Sequence, residues 1–410
     1  MKIAAHCAYF TRASGHFVMR KWRPAMGDGS AGDACGSLEC AHPWRARHGR
    51  PESPRLFNNS YSSLQCVTFA RWPLRACLLA LVAASAWAAH AAELRVLTHA
   101  SFALPKPLLA QFEKDAGVTL RITKAGDAGE MLNKLILTRA NPVADVVFGI
   151  DNVLAAKADA AQVLDAYERP AGRGGAGQDA VTLPAYLLPV DYGYVTVNYD
   201  KAWFAKKGLA LPRTLEDLAQ PAYARLLVVQ NPATSSPGNA FLLATIGALG
   251  EEKAFDWWAR MRSNGLTVAK GWSEAYYTEF SHNGGAHPLV VSYASSPAAE
   301  VFYSKPKLTE PPTGSLSLGG GVFRQVEGVG LVKGGRERPA AVRFMAFLRT
   351  PAVQQALQTE MWMFPVDAGV ARVDALRHAP EPVAFDSPSA QVIADKGADW
   401  VRRWTRVVLK

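Results

Sequence analysis

From residue 94 onward the chain alternates short apolar runs rich in β-formers with amphipathic helical stretches, and this alternation limits the fold more than any other feature. Leu94-Arg95-Val96-Leu97-Thr98 has the period of a strand. Lys106 to Ala116 places Leu108, Leu109 and Phe112 on one helical face. Val118 to Thr123 reads as a second strand, Ala125 to Gly129 as a loop, and Glu130 to Ala140 as a helix with Met131, Leu132, Leu135 and Ile136 inward. Ala144 to Ile150 is an apolar strand broken only by Asp145, the kind buried on both faces of a parallel sheet. Further strands are expected over Pro189–Tyr199, Arg225–Val229, Pro288–Tyr293 and Val322–Val332. Helices are expected from Pro237, over Lys253–Ser263 and Pro339–Leu348, and from Pro351. A last helix carries Trp400, Val401, Trp404, Val407 and Val408 on one face, and residues 170–180, rich in Gly and Ala, read as a surface loop. The pattern predicts an α/β fold with right-handed crossovers, in which two sheets joined by long strands close like a hinge. Ligands of such folds sit at the carboxyl ends of strands, near helix N-termini.

Charge and cysteine separate this part from what precedes it. The chain has 410 residues, room for two or three domains, and a formal charge of +10. Residues 1–91 hold 11 Lys/Arg against 4 Asp/Glu, whereas 92–410 hold 34 against 31. The globular part is thus nearly neutral, which argues against a nucleic-acid partner. All five cysteines precede residue 92, which excludes disulfides, thiolate zinc sites and a cysteine nucleophile from the globular part. Arg71 and Arg75, the apolar run Ala76 to Ala89 and the small residues of Ala89-His90-Ala91 form a signal-peptide pattern, with cleavage expected after Ala91. The run is too short to span a bilayer, which takes about 20 helical residues. We therefore read 67–91 as a signal peptide directing export to the periplasm. Residues 1–66 read as a non-structured or mis-annotated extension, with the true start near Val67.

Signatures of catalysis are missing. No G-x-x-x-x-G-K-[ST] loop or H-E-x-x-H helix occurs, and Gly271-Trp272-Ser273-Glu274-Ala275 only approaches G-x-S-x-G. The glycine after Gly328-Val329-Gly330 falls at Gly334, one residue too late for a dinucleotide fingerprint. Beyond residue 91 only His99, His282, His287 and His378 are available as bases or ligands, and His282 and His287 flank a turn at Asn283-Gly284-Gly285. The expectation is a binding protein with no catalytic residue, no metal and no cofactor.

Three segments carry the binding argument. In Asn231-Pro232-Ala233-Thr234-Ser235-Ser236-Pro237-Gly238, Ser236 suits an N-cap and Pro237 the first helical position, leaving N–H groups and two hydroxyls for a phosphate or hydroxyl. Lys270-Gly271-Trp272-Ser273-Glu274-Ala275-Tyr276 sets a Trp after a Gly in a polar, turn-like stretch, a candidate ring platform. Val290-Val291-Ser292-Tyr293-Ala294-Ser295-Ser296-Pro297 is a strand ending in an aromatic and three small residues. Taken alone, each reads as well as a helix cap, a packed core Trp and a strand exit.

Together these segments resemble the periplasmic thiamine-binding proteins of ABC importers. Asp145-Val146-Val147-Phe148-Gly149-Ile150-Asp151-Asn152, Asp191-Tyr192-Gly193-Tyr194 and Trp362-Met363-Phe364-Pro365-Val366 extend the resemblance from about Leu94 to Lys410. The resemblance implies a two-lobed type II periplasmic binding fold with hinge strands, lobe 1 over 92–190 and 326–362 and lobe 2 over 191–325 and 363–410. It implies a monomer that binds thiamine, thiamine monophosphate or thiamine diphosphate and hands it to a permease with an ATPase. The family's acidic loop falls on Asp127 and Ala128, its hydroxyl pair on Ser235 and Ser236, its ring-bearing Trp on Trp272, and its strand-end segment on Tyr293, Ala294, Ser295 and Ser296. Where the family often has Tyr, this chain has His99, and Ala298-Ala299 stands where an aromatic is common, so Trp362, Tyr276 or Tyr303 would have to compensate.

The chemistry of such a ligand fits these residue types. A permanently cationic ring over Trp272 or Tyr293 gains about 0.5–2 kcal/mol. Asp127 or Asp151 can offset its charge, and the Ser235-Ser236 helix start can hold a phosphate. Ferric iron, suggested by adjacent Tyr276 and Tyr277, a polyamine or a phosphonate are the alternatives on the same fold; a secreted hydrolase is the alternative of another class.

Overall fold

Asp127 shows how locally the fold is determined. In the computed structural model, which describes residues 92–168, 183–316 and 318–410, its carboxylate accepts from Ala128 N–H while Glu130 accepts from Asp127 N–H. This capping box starts helix α2 (Ala128–Leu137) two residues before the apolar pattern suggests. The preceding helix, α1 (Lys106–Ala116), has the expected limits because Pro105–Lys106–Pro107 opens it and Gly117, at φ 63°, closes it in the left-handed region. The strands around them, β1 (Ala92–Thr98), β2 (Val118–Lys124) and β3 (Val146–Asp151), pair in parallel with β1 in the middle. Asp145 sits just before β3, buried, with Arg95 Nη2 at 2.6 Å. Burial opposes its charge, but bonds from Arg95 and from Arg336 N–H outweigh it and hold the carboxyl below the usual range.

The long strands β4 (Leu188–Asp200) and β9 (Phe323–Leu331) do not join two sheets as expected from the sequence. They run through a single sheet in the order β2-β1-β3-β9-β4-β7-β5-β6, with β5 at Leu227–Gln230, β6 at Thr267–Ala269 and β7 at Leu289–Tyr293. The two ends are parallel, whereas β9 runs antiparallel to β3 and β4, and β7 antiparallel to β4. Two short strands, β8 (Thr313–Leu316) and β10 (Phe364–Pro365), pair with opposite stretches of β4. The expected extension and signal peptide, and the loop over 170–180, lie outside the described residues.

Each long strand serves both of the two largest cores. Leu188 and Val190 of β4 and Val329 and Leu331 of β9 pack with Phe112, Phe148 and Phe344 beneath α1, α6 (Arg338–Leu348) and α7 (Pro351–Glu360). A few residues along, Val195, Val197 and Phe323 pack with Phe241, Trp257, Trp258 and Trp404. Those rings come from α3 (Ser236–Leu249), α4 (Glu251–Ser263) and α8 (Ala390–Trp404). Trp257, Trp258 and Trp404 meet edge to face at 4.9 and 5.5 Å, contacts worth about 0.5–1.5 kcal/mol each beyond buried area. The molecule therefore has two lobes, with β4 and β9 as the strands between them.

Candidate ligand-binding cleft

The carboxyl ends of β1 and β3 on one side, and of β5, β6 and β7 on the other, face each other where the lobes meet. Asp127 bridges them: one oxygen caps α2, and the other accepts Trp272 N–H at 3.0 Å. Close approach explains the glycines here. A Cβ on Gly271 would lie 3.1 Å from that oxygen, and one on Gly129 would lie 2.6 Å from the Thr234 carbonyl oxygen, which accepts Glu130 N–H. Lys270 pairs with Glu130 at 2.7 Å beside this contact.

The segment expected as a turn around Trp272 is helical, Trp272–Glu274 continuing into a wide π-helical turn over Ala275–Glu279. This brings Tyr276 directly beneath Trp272, with ring centres 5.0 Å apart at 16°. Tyr293 meets the indole edge on at 6.4 Å, and the indole N–H donates to Ser292 Oγ, which lies 2.9 Å from Ser296 Oγ. Tyr276 is buried and its hydroxyl donates to Glu300, whose other oxygen accepts Thr313 Oγ1 at 2.6 Å. Burial raises both the Glu300 carboxyl and the Tyr276 hydroxyl, so each keeps its proton more readily than in water.

A second set of polar groups lies beside the aromatic one. Tyr293 OH donates to Gln325 Oε1 at 2.9 Å, and Gln325 Nε2 donates to Asp151 Oδ2 at 2.8 Å. Asp151 Oδ1 takes the N–H groups of Val153 and Leu154. Burial pushes the Asp151 carboxyl up to about 7. Asn152 ties the end of β3 to β9, donating to Arg324 O and accepting Val326 N–H.

The helix start at the serine pair differs from the sequence expectation. Ser235, not Ser236, is the N-cap of α3, and its buried Oγ has no hydrogen-bond partner. Ser236 is the first helical residue and donates its hydroxyl to Asp151, so in this arrangement it holds the two lobes together rather than facing a phosphate. The reason is one residue of register: with Pro237 at the second helical position, Ser236 points toward β3. Ala128 and Ala294 are buried and contribute backbone, Ala294 N–H bonding to Tyr194 O; Ser295 stands at the start of α5 (Ser296–Tyr303), without a side-chain capping bond, a helix the sequence did not suggest. Trp362 packs its ring against Phe302 and Tyr303 rather than Trp272. It holds φ 61°, a strained position for a non-glycine residue that costs about 1–3 kcal/mol. Gln325 and Glu300 were not singled out from the sequence, and Ser292 only as part of the strand-end segment. The signal for Gln325 was weak, because β9 also carries the polar Arg324 and Glu327 and nothing in the local pattern sets Gln325 apart. Among the described residues no group of three or more His, Cys, Asp or Glu is arranged to hold a metal ion.

A hinged α/β pair of lobes with polar and aromatic groups converging between them defines a type II periplasmic binding protein. Residues 141–396 match the family described as bacterial extracellular solute-binding protein. The thiamine-binding periplasmic protein of Escherichia coli (strain K12) is 31% identical over 345 residues, 82% of this chain and 99% of the relative. That of Salmonella typhimurium is 30% identical over 81% of this chain and 97% of the relative. A solved periplasmic thiamin binding protein superposes with a TM-score of 0.68 at 28% identity, over 77% of this chain and 96% of that one. The ferric binding protein from Campylobacter jejuni, at 18% identity and a TM-score of 0.60, shares the fold. The chain belongs to the bacterial extracellular solute-binding proteins, in the family of the thiamine-binding periplasmic proteins, a family of binding proteins rather than of enzymes.

Proposed function

We propose that the protein captures thiamine and its phosphate esters in the periplasm, after export by its signal peptide. It then delivers them as a monomer to the permease and ATPase of an ABC importer, without chemistry on the ligand. The observation that carries this reading is the bond from Trp272 N–H to Asp127 across the cleft, which sets an aromatic platform beside a carboxylate only when the lobes meet. A flat cation is the ligand such a pair suits. Tyr293 supplies the second ring, the segment of Ala294, Ser295 and Ser296 the polar wall, and the unpartnered Ser235 hydroxyl a donor for the hydroxyethyl arm or its phosphate. Asp151 supplies charge behind the platform, Tyr276 supports Trp272 from beneath, and Trp362 closes the rim. The lobe boundaries we propose are 92–190 with 326–362 and 191–325 with 363–410, in keeping with the change of core between Val190 and Val195.

An iron reading is disfavoured by Tyr276, whose hydroxyl is buried on Glu300. Calorimetry of the processed protein, unfolded and refolded to strip ligand, tests the proposal. Saturable heat and a change in Trp fluorescence with thiamine or its phosphates are expected. Neither signal with any of the three would overturn it.

A further inference from the structure

The floor of the cleft holds more negative charge than its own structure balances. Asp151 on β3 pairs in register with Glu327 on β9, and Glu327 pairs in register with Asp191 on β4. In-register residues share a sheet face, and neighbouring strands lie about 5 Å apart. Three carboxylates therefore form a row across the strands between the lobes. Asp191 and Asp151 are fully buried and Glu327 nearly so. No N–H or hydroxyl donor reaches either oxygen of Asp191, whose polar neighbour is the Glu327 carboxyl. A separate side chain points into the same row from the end of β1. His99, 6% exposed, places Nε2 3.5 Å from Glu327 Oε1 without a hydrogen bond there. Gly149, at φ 99°, makes room for the imidazole, because a Cβ there would lie 2.3 Å from His99 Cδ2.

One imidazolium cannot neutralise three buried carboxylates spaced this closely, so they cannot all be ionised unless another cation is near. Around the row, Asp127 from the α2 cap and, more weakly, Lys124 from β2 act on His99, and Tyr293 from β7 lies within reach of Glu327, Asp127 and Asp151. Burial and the neighbouring Glu327 raise Asp191 well above the carboxylate range. Burial opposes charge on His99, but Glu327 outweighs it and raises the imidazole. The row also acts on the proposed platform: burial first, then Glu327, Asp127 and Asp151, raise the Tyr293 hydroxyl.

We propose that Asp191 and Asp151, set beside Glu327, determine the charge selectivity of the cleft: the two aspartates hold protons while the cleft lacks a cation and release them to solvent when one enters. Entry of a positive ring at Tyr293 lowers the cost of ionising the row, and by linkage ionising the row tightens the ring's binding. The inference rests on the proposed function only for the identity of the cation, since the proton content is a property of the ligand-free protein.

Infrared difference spectra between Asp191→Asn, Glu327→Gln and the unaltered ligand-free protein at pH 7 test the first half. Loss of the Asp191 protonated-carboxyl stretch is expected in Asp191→Asn, and its weakening in Glu327→Gln, which removes the neighbouring carboxylate; absence of the stretch from the unaltered protein would overturn the proposal. The second half is tested by calorimetry with thiamine in two buffers of different ionisation enthalpy, and by the affinity from pH 5 to 8. Proton release is expected, with affinity rising up to about tenfold per pH unit for each proton released and the slope flattened in either variant. Thiamine binding without proton release would overturn the coupling and leave the proposed function standing. No thiamine binding would overturn the proposed function, while the infrared band would still decide whether the row is protonated. If one variant fails to fold, the other decides.

Discussion

At the scale of single residues, Trp272 and Asp151 lead to different predictions. Trp272 is half-buried, held by Asp127 at its backbone, by Ser292 at its indole nitrogen and by Tyr276 across its face. Trp272→Ala should weaken thiamine binding tenfold or more, about 1.4 kcal/mol, in a titration; an unchanged affinity would remove it from the site. Asp151 is an acid whose folded pKa, about 7, lies above its ordinary value. The folded state then holds the proton more tightly than the unfolded chain. Its contribution is complete below about pH 4 and is lost as pH rises through 7. Asp151→Asn should remove a dependence of a few kcal/mol from this window, so the Tm of the unaltered protein should fall relative to the variant between pH 4 and 7. Parallel Tm curves would show that Asp151 does not titrate there.

At the scale of elements, the contact between α2 and the Thr234 loop is the informative one. Gly129→Ala places a methyl against the Thr234 carbonyl oxygen while improving helix propensity by about 1 kcal/mol. We expect thermal stability to hold or rise while thiamine affinity falls at least tenfold. A loss of both would mean that the residue serves the fold rather than closure. Elements with a strong period or strong punctuation were legible in the sequence. Helix α1, bounded by prolines and Gly117, was read to the residue, and β4 and β9 were visible as long runs of β-forming residues. The three-residue β6, the edge strand β8 and helix α5 were not, because so few residues carry no period and Ser-Ser-Pro reads equally as a loop. The turn expected at Trp272 became helical because Ala275, Tyr276 and Phe280 bury one face in a small core with Val228 and Val290, a tertiary contact that a local pattern does not carry. Of the cleft, the sequence made the rings and small residues visible, but not the pairing of Ser236 with Asp151 or the row of carboxylates. Both depend on register between strands far apart in the chain.

At the scale of the whole molecule, the two largest cores share one sheet, and among the described residues β4 and β9 are the strands that run from one to the other. Motion is therefore expected as a rigid-body rotation about residues near Asp191 and Gln325, with each core unchanged. Small-angle scattering should report a smaller radius of gyration with thiamine than without, and an equal radius in both states would argue that the ligand does not drive closure. The sequence suggested two sheets because each half alternates strands and helices separately. Only the antiparallel pairing of β9 with both β3 and β4 makes them one.

The position of Trp404 bears on the order in which the molecule can be made. Its indole is wholly enclosed by the same cluster as Trp258 and Phe241, and Val408 follows it into that cluster. As the chain emerges from a ribosome or a membrane pore, those two side chains arrive after every other member of the cluster. The buried cluster of that lobe can therefore close completely only after residues 404–408 have been delivered.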